Sequence, residues 1–504
     1  MERGEKEAPP MKASCFLWVP TTRFMHIGTL LGLLLLSPLF FPQPATSGFI
    51  ETPGMGPKAS AMGSAFAGLA DDGFAVFYNP AGLAQIKGTT RGIGLDMALV
   101  RRNYDSDGKP IDSAPPPVIG PRTVLTMDFG LERFTFGAGI MPSFAGFTQS
   151  DEFEGDLRYT GYIFQETVFP FYIGTGYRVN DKLCLGAGLQ IGIVNKMFVA
   201  RRMGDGFVGR TIEGMTGLPA STLTINGEDD GKLEIQTDKE FPTGLRPFND
   251  LNIDDRSYSY SFGILLKPVD KLQIGLTYRE QIRVHYEGEA RMELASELKE
   301  IVDPILDTFG PIINRFQGTA MSARFNLLIK MPRQLDIGLA LFPTERLTIT
   351  TDYVWTDWSN WVVQTVNLEG EGIFGMTQIK MPMDFKDTHS LRMGIDYALT
   401  PRFHVRAGYM WDPTPVPTHT LFAGTADSDH HVATFGLGMT DLLKGRLRIE
   451  AGFQYIYLTS RTIAPGASQN LGGYKHSIGN EYNDVEFKIG GYALRTSIST
   501  TWLF

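Results

Sequence analysis

The chain has 504 residues and a formal net charge of −9, and 56 of its residues are glycine. A chain with this acidic balance is a poor ligand for nucleic acid, so we expect no nucleic-acid partner. The mean hydropathy is close to zero, which indicates that apolar and polar residues are finely mixed, as in alternating strands, rather than collected in helical spans.

The first element is a continuously apolar stretch at residues 27–41, which follows a region with basic residues and precedes several small residues. These three parts in this order are typical of a secretory signal peptide. We therefore predict a signal peptide at residues 1–47 and a mature N-terminus at Gly48 and Phe49. An uncleaved membrane anchor is the alternative, which the shortness of the apolar core disfavours.

Residues 48–87 come next and are rich in glycine and other small residues, which indicates a compact plug ahead of the first strand. Within this segment we predict a short helix at Ala61–Leu69 that ends in turn residues at Asp71–Gly73. A further turn is predicted later in the segment, because a proline fixes its own φ and restricts the residue before it. This turn consists of Asn79, Pro80, Ala81 and Gly82.

Segments that alternate between apolar and polar residues occupy the rest of the chain. In the last of them, Tyr492–Phe504, one face is apolar and aromatic and suits lipid, whereas the other is mainly small or polar and suits a wet lumen. Alternation alone also fits a soluble β-sandwich, in which the apolar face is turned inward. Fourteen such segments are predicted, at residues 88–101, 121–130, 132–141, 166–178, 183–196, 257–267, 272–284, 333–343, 346–358, 388–399, 402–411, 430–440, 447–459 and 492–504.

The lengths of the connections between these segments favour a barrel over a sandwich. Short connections of a few residues alternate with long ones of about 20 to 60 residues. An even number of strands, with short turns at one rim and long loops at the other, is typical of bacterial outer-membrane barrels. We therefore predict an all-β transmembrane barrel of about 14 antiparallel strands at residues 88–504, with residues 48–87 as an N-terminal hatch inside its lumen.

The segment before the first strand also carries a specific resemblance to a known family. Its run from Met62 to Gly73, MGSAFAGLADDG, followed by Asn79–Leu83, resembles the hatch of the FadL/TodX family of outer-membrane transporters for long-chain fatty acids and aromatic hydrocarbons. Three further features are similar to the family: the mature start at Gly48 and Phe49, the segment Gly275–Arg279, and the terminal Phe504.

This resemblance implies a function and a location for the protein. It implies facilitated diffusion of hydrophobic compounds across the bacterial outer membrane by a monomer without a cofactor, in contact with outer-membrane lipid and lipopolysaccharide. It also implies that Asn79–Gly82 packs against the barrel wall near a lateral outlet, and that a shift of the N-terminal segment around Phe49 releases the ligand. A plain surface turn is the alternative interpretation of Asn79–Gly82.

An apolar stripe in the fourth long loop is the first candidate for ligand binding. Its residues recur at intervals of three or four, which predicts short amphipathic helices interrupted at Pro304 and Pro311. By resemblance to the family, we interpret the stripe as a capture groove at the extracellular mouth, with ordinary packing against other loops as the alternative. The candidate ligand-binding residues in the stripe are Leu298, Ile305 and Phe309.

Arginines on the predicted lumen-facing side of the strands are the second candidate. The guanidinium groups of Arg279, Arg392 and Arg406, and also that of Arg495, have the geometry to hold a fatty-acid carboxylate through paired hydrogen bonds. Arginines inside a barrel more often pair with carboxylates of the barrel itself. The acidic residues available for such pairing are Asp336, Asp352, Asp396 and Glu450.

Two other functional classes remain open. A general aqueous porin accounts for the barrel but not for the plug. An outer-membrane enzyme such as a lipase requires a nucleophile beside a base, and His404 has no serine signature near it. The run Asp427–His431 contains residue types found in metal sites, but it lies in a loop at the start of a strand and is interpreted as a solvated rim. We therefore predict neither a catalytic residue nor a metal site.

Overall fold

The structure is a computed structural model that describes most of the chain. The described residues are 54–106, 109–113, 117–141, 144–149, 163–203, 231–237, 257–294, 320–370, 377–421, 427–465, 467–468 and 486–504. The predicted signal peptide with its cleavage site, Phe49, and the loop residues Leu298, Ile305 and Phe309 lie outside the described residues.

Strands dominate the described part of the chain. Two short α-helices precede them, α1 (Pro57–Ala61) and α2 (Ala75–Tyr78), and 3₁₀ helices occur at Pro80–Gln85, Trp358–Asn360 and Thr418–Thr420. None of the described helices is long and apolar enough to cross a membrane. The strands are β1 (Thr89–Ser106), β2 (Lys109–Ser113), β3 (Val118–Met127), β4 (Phe134–Ile140), β5 (Phe144–Gln149), β6 (Ile163–Arg178), β7 (Leu183–Met203), β8 (Gly231–Thr237), β9 (Tyr258–Val269), β10 (Leu272–Arg279), β11 (Ile282–Leu294), β12 (Ala320–Met331), β13 (Gln334–Thr344), β14 (Leu347–Thr356), β15 (Val363–Leu368), β16 (Gln378–Pro382), β17 (Thr388–Thr400), β18 (Phe403–Asp412), β19 (His430–Leu442), β20 (Leu447–Ile463) and β21 (Phe487–Leu503).

Fourteen of these strands close into an antiparallel barrel. Each of them pairs with the next in the order β1, β3, β4, β6, β7, β9, β10, β13, β14, β17, β18, β19, β20 and β21. The last strand returns to the first through a register that runs from Thr90 opposite Leu503 to Ser106 opposite Phe487. All fourteen coincide with the predicted segments, so the predicted barrel is confirmed.

The two faces of the barrel wall have opposite character, as the alternation predicted. Large apolar side chains are exposed on the outside, and at Phe262, Met393 and Ile498 more than half of the side chain is accessible, 54%, 54% and 51%. The inner face carries buried polar side chains, among them Thr126, Gln190, Thr277, Thr350, Ser390, Thr434, Gln454 and Ser497. An apolar belt of this extent around a closed barrel is stable in lipid and not in water.

The seven other strands extend the wall beyond the barrel at the rim opposite the short turns. There β11 and β12 continue β10 and β13 in unbroken register, since Arg279 lies opposite Gln334 and Ile282 lies opposite Met331. In β11 and β12 one face is apolar and buried, and the other is mainly polar and exposed. Of these seven strands the prediction included only the start of β11, because a strand with a charged exposed face does not match the pattern of a lipid-facing strand.

Candidate functional site in the barrel lumen

The hatch, residues 54–87, lies inside the barrel, as predicted from its position before the first strand. Most of its side chains are buried, and an aromatic cluster forms its centre. The ring of Phe77 stands edge-on to Tyr78 at a centroid distance of 5.0 Å and to Tyr172 of β6 at 5.6 Å. Because the second of these contacts joins the hatch to the wall, hatch and barrel share one apolar core.

Tyr78 also ties the two ends of the hatch together. Its phenol oxygen accepts a hydrogen bond of 2.7 Å from the backbone N–H of Met55. Burial raises the pKa of the Tyr78 phenol, which therefore stays protonated.

The hatch also contains an ion pair, in which the Lys58 ammonium lies 2.7 Å from the Asp71 carboxylate. Burial lowers the pKa of Lys58, but the attraction of Asp71 and nearby carboxylates outweighs it, so the pKa lies above its ordinary value.

The prediction of a helix at Ala61–Leu69 is wrong. The helix of this region is α1, which ends at Ala61, and Gly63 and Ser64 follow in the left-handed region with φ of 61° and 62°. A right-handed helix cannot continue through such residues. The Asp352 carboxylate, which β14 projects into the lumen, instead accepts hydrogen bonds from the backbone N–H groups of Phe66 at 2.6 Å and Ala67 at 2.8 Å.

This arrangement makes Asp352 a specific test of hatch docking. Replacement of Asp352 by Leu is expected to leave two buried N–H groups without an acceptor, at about 1 to 3 kcal/mol each. Hydrogen exchange at Phe66 and Ala67 should then accelerate at least tenfold relative to the parent protein. The exposed carboxylate of Asp270 at the short-turn rim provides the matched control, Asp270→Leu, which should leave these amides protected. Unchanged protection in Asp352→Leu would show that other contacts alone fix this segment.

The turn predicted at Asn79–Gly82 is the start of the 3₁₀ helix Pro80–Gln85. The side-chain oxygen of Asn79 accepts from the backbone N–H of Ala81 at 3.1 Å, which fixes the start of this helix. The side-chain amide nitrogen of Asn79 donates to the carbonyl oxygens of Ala67 at 2.9 Å and of Ile264 in β9 at 3.1 Å. Asn79 is fully buried, so it is not a plain surface turn residue. It joins two hatch segments to the wall.

Glycines of the wall provide the space into which the hatch backbone fits. They lie opposite one another on neighbouring strands, as Gly275 does with Gly338 and Gly394 does with Gly408. A Cβ atom on Gly275 would lie 2.0 Å from the carbonyl oxygen of Ala67. The other directly opposed glycine pairs against the hatch are Gly137 with Gly174, Gly176 with Gly186, Gly186 with Gly263, and Gly436 with Gly452.

The three arginines predicted as ligand-binding residues do face the lumen, but each is engaged differently. Arg279 donates to the carbonyl oxygen of Phe77 at 2.6 Å and stacks on its ring at 4.3 Å, so it holds the hatch. Arg406 forms ion pairs with Asp396 at 2.9 Å and Glu450 at 3.1 Å.

Arg392 on β17 lies directly opposite Asp352 on β14 in the pairing of these two strands. Arg279 and Arg406 are thus engaged by the hatch and by wall carboxylates, and ligand binding by the three arginines stays a prediction.

A further lumen arginine, Arg122, was not among the predicted ligand-binding residues. Arg122 on β3 is one of the largest fully buried side chains and is in ionic contact with Asp96 on β1. Arg495 on β21 approaches the same carboxylate at 3.3 Å and donates to the side-chain oxygen of Gln454. Arg122 is the second residue of the predicted segment 121–130, and the alternation of that segment places it on the lumen side.

A row of apolar side chains crosses five strands of the inner wall. Its members face one another in register from β18 through β19, β20 and β21 to β1, and they form one buried cluster. Met410 of this row is two residues beyond Gly408, where the wall touches hatch residue Gly63, so the row begins directly on the extracellular side of the hatch. The members are Met410, Val432, Ile456, Ala493 and Val100, here called the apolar row.

Apolar surface continues from this row toward the extracellular rim. Tyr104 and Phe487 stack with a centroid distance of 5.8 Å, and both are buried. The buried face of the extended sheet is also apolar, with Val284, Tyr286, Phe325, Leu327, Ile329, Val366 and Leu368. The sequence alone does not distinguish these residues, because a lumen-facing apolar residue in a strand has the same pattern as a lipid-facing one until the register is known.

The described residues contain no group of three or more His, Cys, Asp or Glu side chains arranged to hold a metal ion. Within Asp427–His431, the imidazole of His430 lies 3.0 Å from the Asp427 carboxylate. That carboxylate also accepts from the Thr414 hydroxyl at 2.6 Å. These contacts connect the start of β19 to the preceding loop.

The protein is a closed barrel with a lipid-facing outer surface. Its N-terminal hatch blocks the lumen, and the wall on the extracellular side of the hatch is apolar. These features define a plugged outer-membrane transport protein. The family model described as outer membrane protein transport protein (OMPP1/FadL/TodX) matches residues 55–493. The chain therefore belongs to the FadL/TodX family of outer-membrane transport proteins.

Known proteins similar to this chain support the same assignment. The long-chain fatty acid transport protein of Escherichia coli strain K12 is 20% identical over 420 residues, which cover 82% of this chain and 89% of that protein. Among solved structures, a FadL homologue of Pseudomonas aeruginosa has a TM-score of 0.73 at 19% identity and covers 91% of this chain and 100% of its own. The toluene transporter TodX of Pseudomonas putida has a TM-score of 0.63 at 17% identity, with coverages of 90% and 99%. At these identities the structural matches establish the fold.

Proposed function

We propose that the protein mediates facilitated diffusion of hydrophobic compounds, such as long-chain fatty acids or aromatic hydrocarbons, across the outer membrane. The observation that carries this proposal is the apolar row, which lies in the lumen directly above the hatch. An aqueous porin does not require an apolar wall at that level of the lumen. Related proteins are described as transporters of fatty acids and of toluene, which agrees with a ligand of this kind.

The physical mechanism is a continuous apolar path. Each methylene group gains about 0.8 kcal/mol when it leaves water, so a hydrophobic solute follows surfaces that keep it dry. In this mechanism the loop residues Leu298, Ile305 and Phe309 capture the ligand, and the apolar row receives it. A shift of the N-terminal segment around Phe49 then opens the way past the hatch. Diffusion down a concentration gradient suffices, so the mechanism needs no nucleotide, redox cofactor or chemical step.

The contacts at the level of the hatch support one release route over the other. On the periplasmic side the lumen holds the ion pairs of Arg406 and of Lys58, which are a poor environment for an apolar chain. Asn79–Gly82 packs on the wall formed by β7 and β9. We therefore place release sideways through the wall near the hatch rather than straight into the periplasm.

The remaining parts of the proposal concern organisation and surroundings. Residues 1–47 serve as the signal peptide, residues 48–87 as the hatch and residues 88–504 as the barrel. The protein acts as a monomer in outer-membrane lipid and lipopolysaccharide, and it is not an enzyme. Its apolar belt provides the surface that these lipids contact.

Uptake by cells tests the proposed function. Cells that lack their own transporter and produce this chain should take up radiolabelled oleate or toluene. Replacement of both Val432 and Ile456 by Asn places amides in the apolar row and should lower uptake roughly fivefold or more, because the ligand loses apolar contact there. Thr440→Asn, at the short-turn rim of the same strand β19, is the matched control.

Heat-modifiable migration of the barrel confirms that each of these variants has folded. Uptake that is equal in cells with and without the chain would refute the proposed function. Uptake that the double variant does not lower would refute the role of the row.

A further inference from the structure

Two side-chain clusters of the same composition and geometry lie on the outer surface of the barrel. In each, one strand presents a tyrosine and a tryptophan two residues apart, and the next barrel strand presents a histidine directly opposite the tryptophan. The tyrosine oxygen lies 2.6 Å from the histidine Nδ1 in the first cluster and 2.5 Å in the second, and the two rings lie against each other. The first cluster is Tyr353, Trp355 and His389, and the second is Tyr409, Trp411 and His431.

Both clusters lie at the extracellular end of the apolar belt, as strand β17 shows. His389 is on the same face as the exposed, lipid-facing side chains that follow it on this strand, Leu391, Met393, Ile395, Tyr397 and Leu399. Ten residues lead from His389 to Leu399, which is about 33 Å along the strand and about 25 Å in height at the usual tilt of barrel strands. Because the apolar band of an outer-membrane barrel has this height, the clusters lie at the level of the outer-leaflet headgroups.

Each histidine offers a hydrogen-bond donor to this level of the membrane. A phenol O–H is a stronger donor than an imidazole N–H, so the tyrosine donates to Nδ1 and the proton of the neutral ring is on Nε2. A protonated ring also carries a proton on Nε2. In the described part of the chain, Nε2 of His389 and of His431 has no acceptor. In the first cluster the Trp355 indole N–H already donates to Asp387 at 3.2 Å, so the histidine is the donor that remains.

The neighbours of His431 favour an anionic acceptor. His431 lies opposite Tyr457 of β20, Tyr457 lies opposite Tyr492 of β21, and Tyr492 lies opposite Arg101 of β1. Arg101 donates to the backbone carbonyl of Val100 and has no carboxylate partner among the described residues. An unpaired cation at the membrane surface attracts anionic lipid headgroups, so phosphate is favoured over a neutral ester as the acceptor.

The distance between the two histidines indicates the size of the headgroup. Leu391, Trp411 and His431 lie opposite one another on three successive strands, and His389 is two residues beyond Leu391. The spacing of strands and of residues along them places the two histidines about 12 Å apart. This is about the length of a disaccharide, so one disaccharide with a phosphate at each end can contact both histidines.

We infer that His389 and His431 together bind the two phosphate groups of a bis-phosphorylated disaccharide lipid of the outer leaflet, the lipid portion of lipopolysaccharide. The acyl chains of this lipid lie on the apolar belt below the clusters. The inference goes beyond the proposed function, because it concerns the outer surface and holds whichever compound the lumen carries. It gives the expected contact with lipopolysaccharide a defined site.

Lipid retention by the full-length protein in mild detergent, measured by native mass spectrometry, tests the inference. The two probes are bis-phosphorylated lipid A and monophosphoryl lipid A, which differ by one phosphate. The parent protein should retain the bis-phosphorylated form about fivefold or more over the other, the discrimination of one charge-assisted hydrogen bond at an exposed site. The double variant His389→Phe and His431→Phe keeps a ring at both positions and removes both donors, so it should retain the two lipids equally.

His419→Phe is the matched control, since His419 is an exposed histidine in an extracellular loop, where it contacts Asp384. Loss of the preference in the double variant alone supports the inference. Equal retention of the two lipids by the parent protein, or a preference that survives in the double variant, overturns it, and so does a loss that His419→Phe shares. Heat-modifiable migration verifies folding of each variant. Uptake of oleate or toluene tests the proposed function separately, so failure of either idea is distinguishable.

Discussion

Deletion of residues 54–86 is expected to convert a nearly silent protein into an open channel in a planar bilayer. Fourteen strands enclose a lumen that wall side chains alone cannot fill, and the hatch supplies the missing volume. Its aromatic cluster and its hydrogen bonds to Asp352, Thr434 and Arg279 leave the intact barrel blocked at this level. We expect the deletion variant to give single-channel currents of the size seen for open barrels, and the intact protein to give no current.

The same recording decides between a plugged transporter and a general porin. The intact protein provides the control, and heat-modifiable migration shows whether the deleted form has folded. An intact protein that already conducts, with no change on deletion, would mean that residues 54–86 do not block the lumen. The porin interpretation would then replace the proposed function.

Adding one methyl group to the glycines of the wall is expected to displace the hatch without removing it. A Cβ atom on Gly186 would lie 2.1 Å from the backbone nitrogen of Ala81, and one on Gly275 would lie 2.0 Å from the carbonyl oxygen of Ala67. Backbone atoms cannot rotate away as side chains do, so each substitution should destabilise docking by about 1 to 3 kcal/mol. The double variant Gly186→Ala and Gly275→Ala should show rapid hydrogen exchange throughout the hatch and intermittent channel opening.

Gly490→Ala is the control for this experiment. Gly490 lies in β21, and the nearest atom to a Cβ there is the flexible Ser460 side-chain oxygen at 3.2 Å. This variant should retain the exchange pattern and the closed state of the parent protein. Full protection of the hatch in the double variant would show that the wall yields to the added methyl groups and that close backbone contact is not what holds the hatch.

The barrel was predictable from the sequence because strand alternation is a local property. Along Tyr492–Phe504 the alternation of side-chain polarity indicates which residues face lipid and which face the lumen, and the neighbouring strands need not be known. Strands β11 and β12 of the extended sheet were harder to predict, since their exposed face carries charged residues. Strand β11, with Glu287 and Glu289 on that face, resembles a soluble strand rather than a membrane strand.

The prediction of a helix at Ala61–Leu69 is wrong because residues far away in the chain determine the conformation of this segment. The alanines, Met62 and Leu69 favour a helix in isolation, but here the Asp352 carboxylate binds the backbone N–H groups of Phe66 and Ala67. Gly338 and Gly275 give the backbone room to lie flat against the wall. Neither influence is visible within residues 61–69.

The arginines of the lumen show the same limit of prediction, because their contacts also involve residues that are distant in the chain. Alternation places Arg279, Arg406 and Arg122 on the inner face, and it does so correctly. Which carboxylates contact them depends on the register between strands, which brings Asp396 and Glu450 to Arg406 and Asp96 to Arg122. The sequence therefore indicates that these cations face the lumen, but not which carboxylates they contact.

The hydrogen bonds that hold the hatch have a consequence for biogenesis. Gly63 bonds to Thr434, 371 positions later in the chain, and Ser60 bonds to Gln454, 394 positions later. The hatch is synthesised before all the strands of the barrel, and it therefore finds these partners only after β19 and β20 are present. Contacts of such long sequence separation form late in folding. Until then the hatch has no binding surface of its own, so sealing of the pore and completion of the barrel belong to the same final stage of assembly.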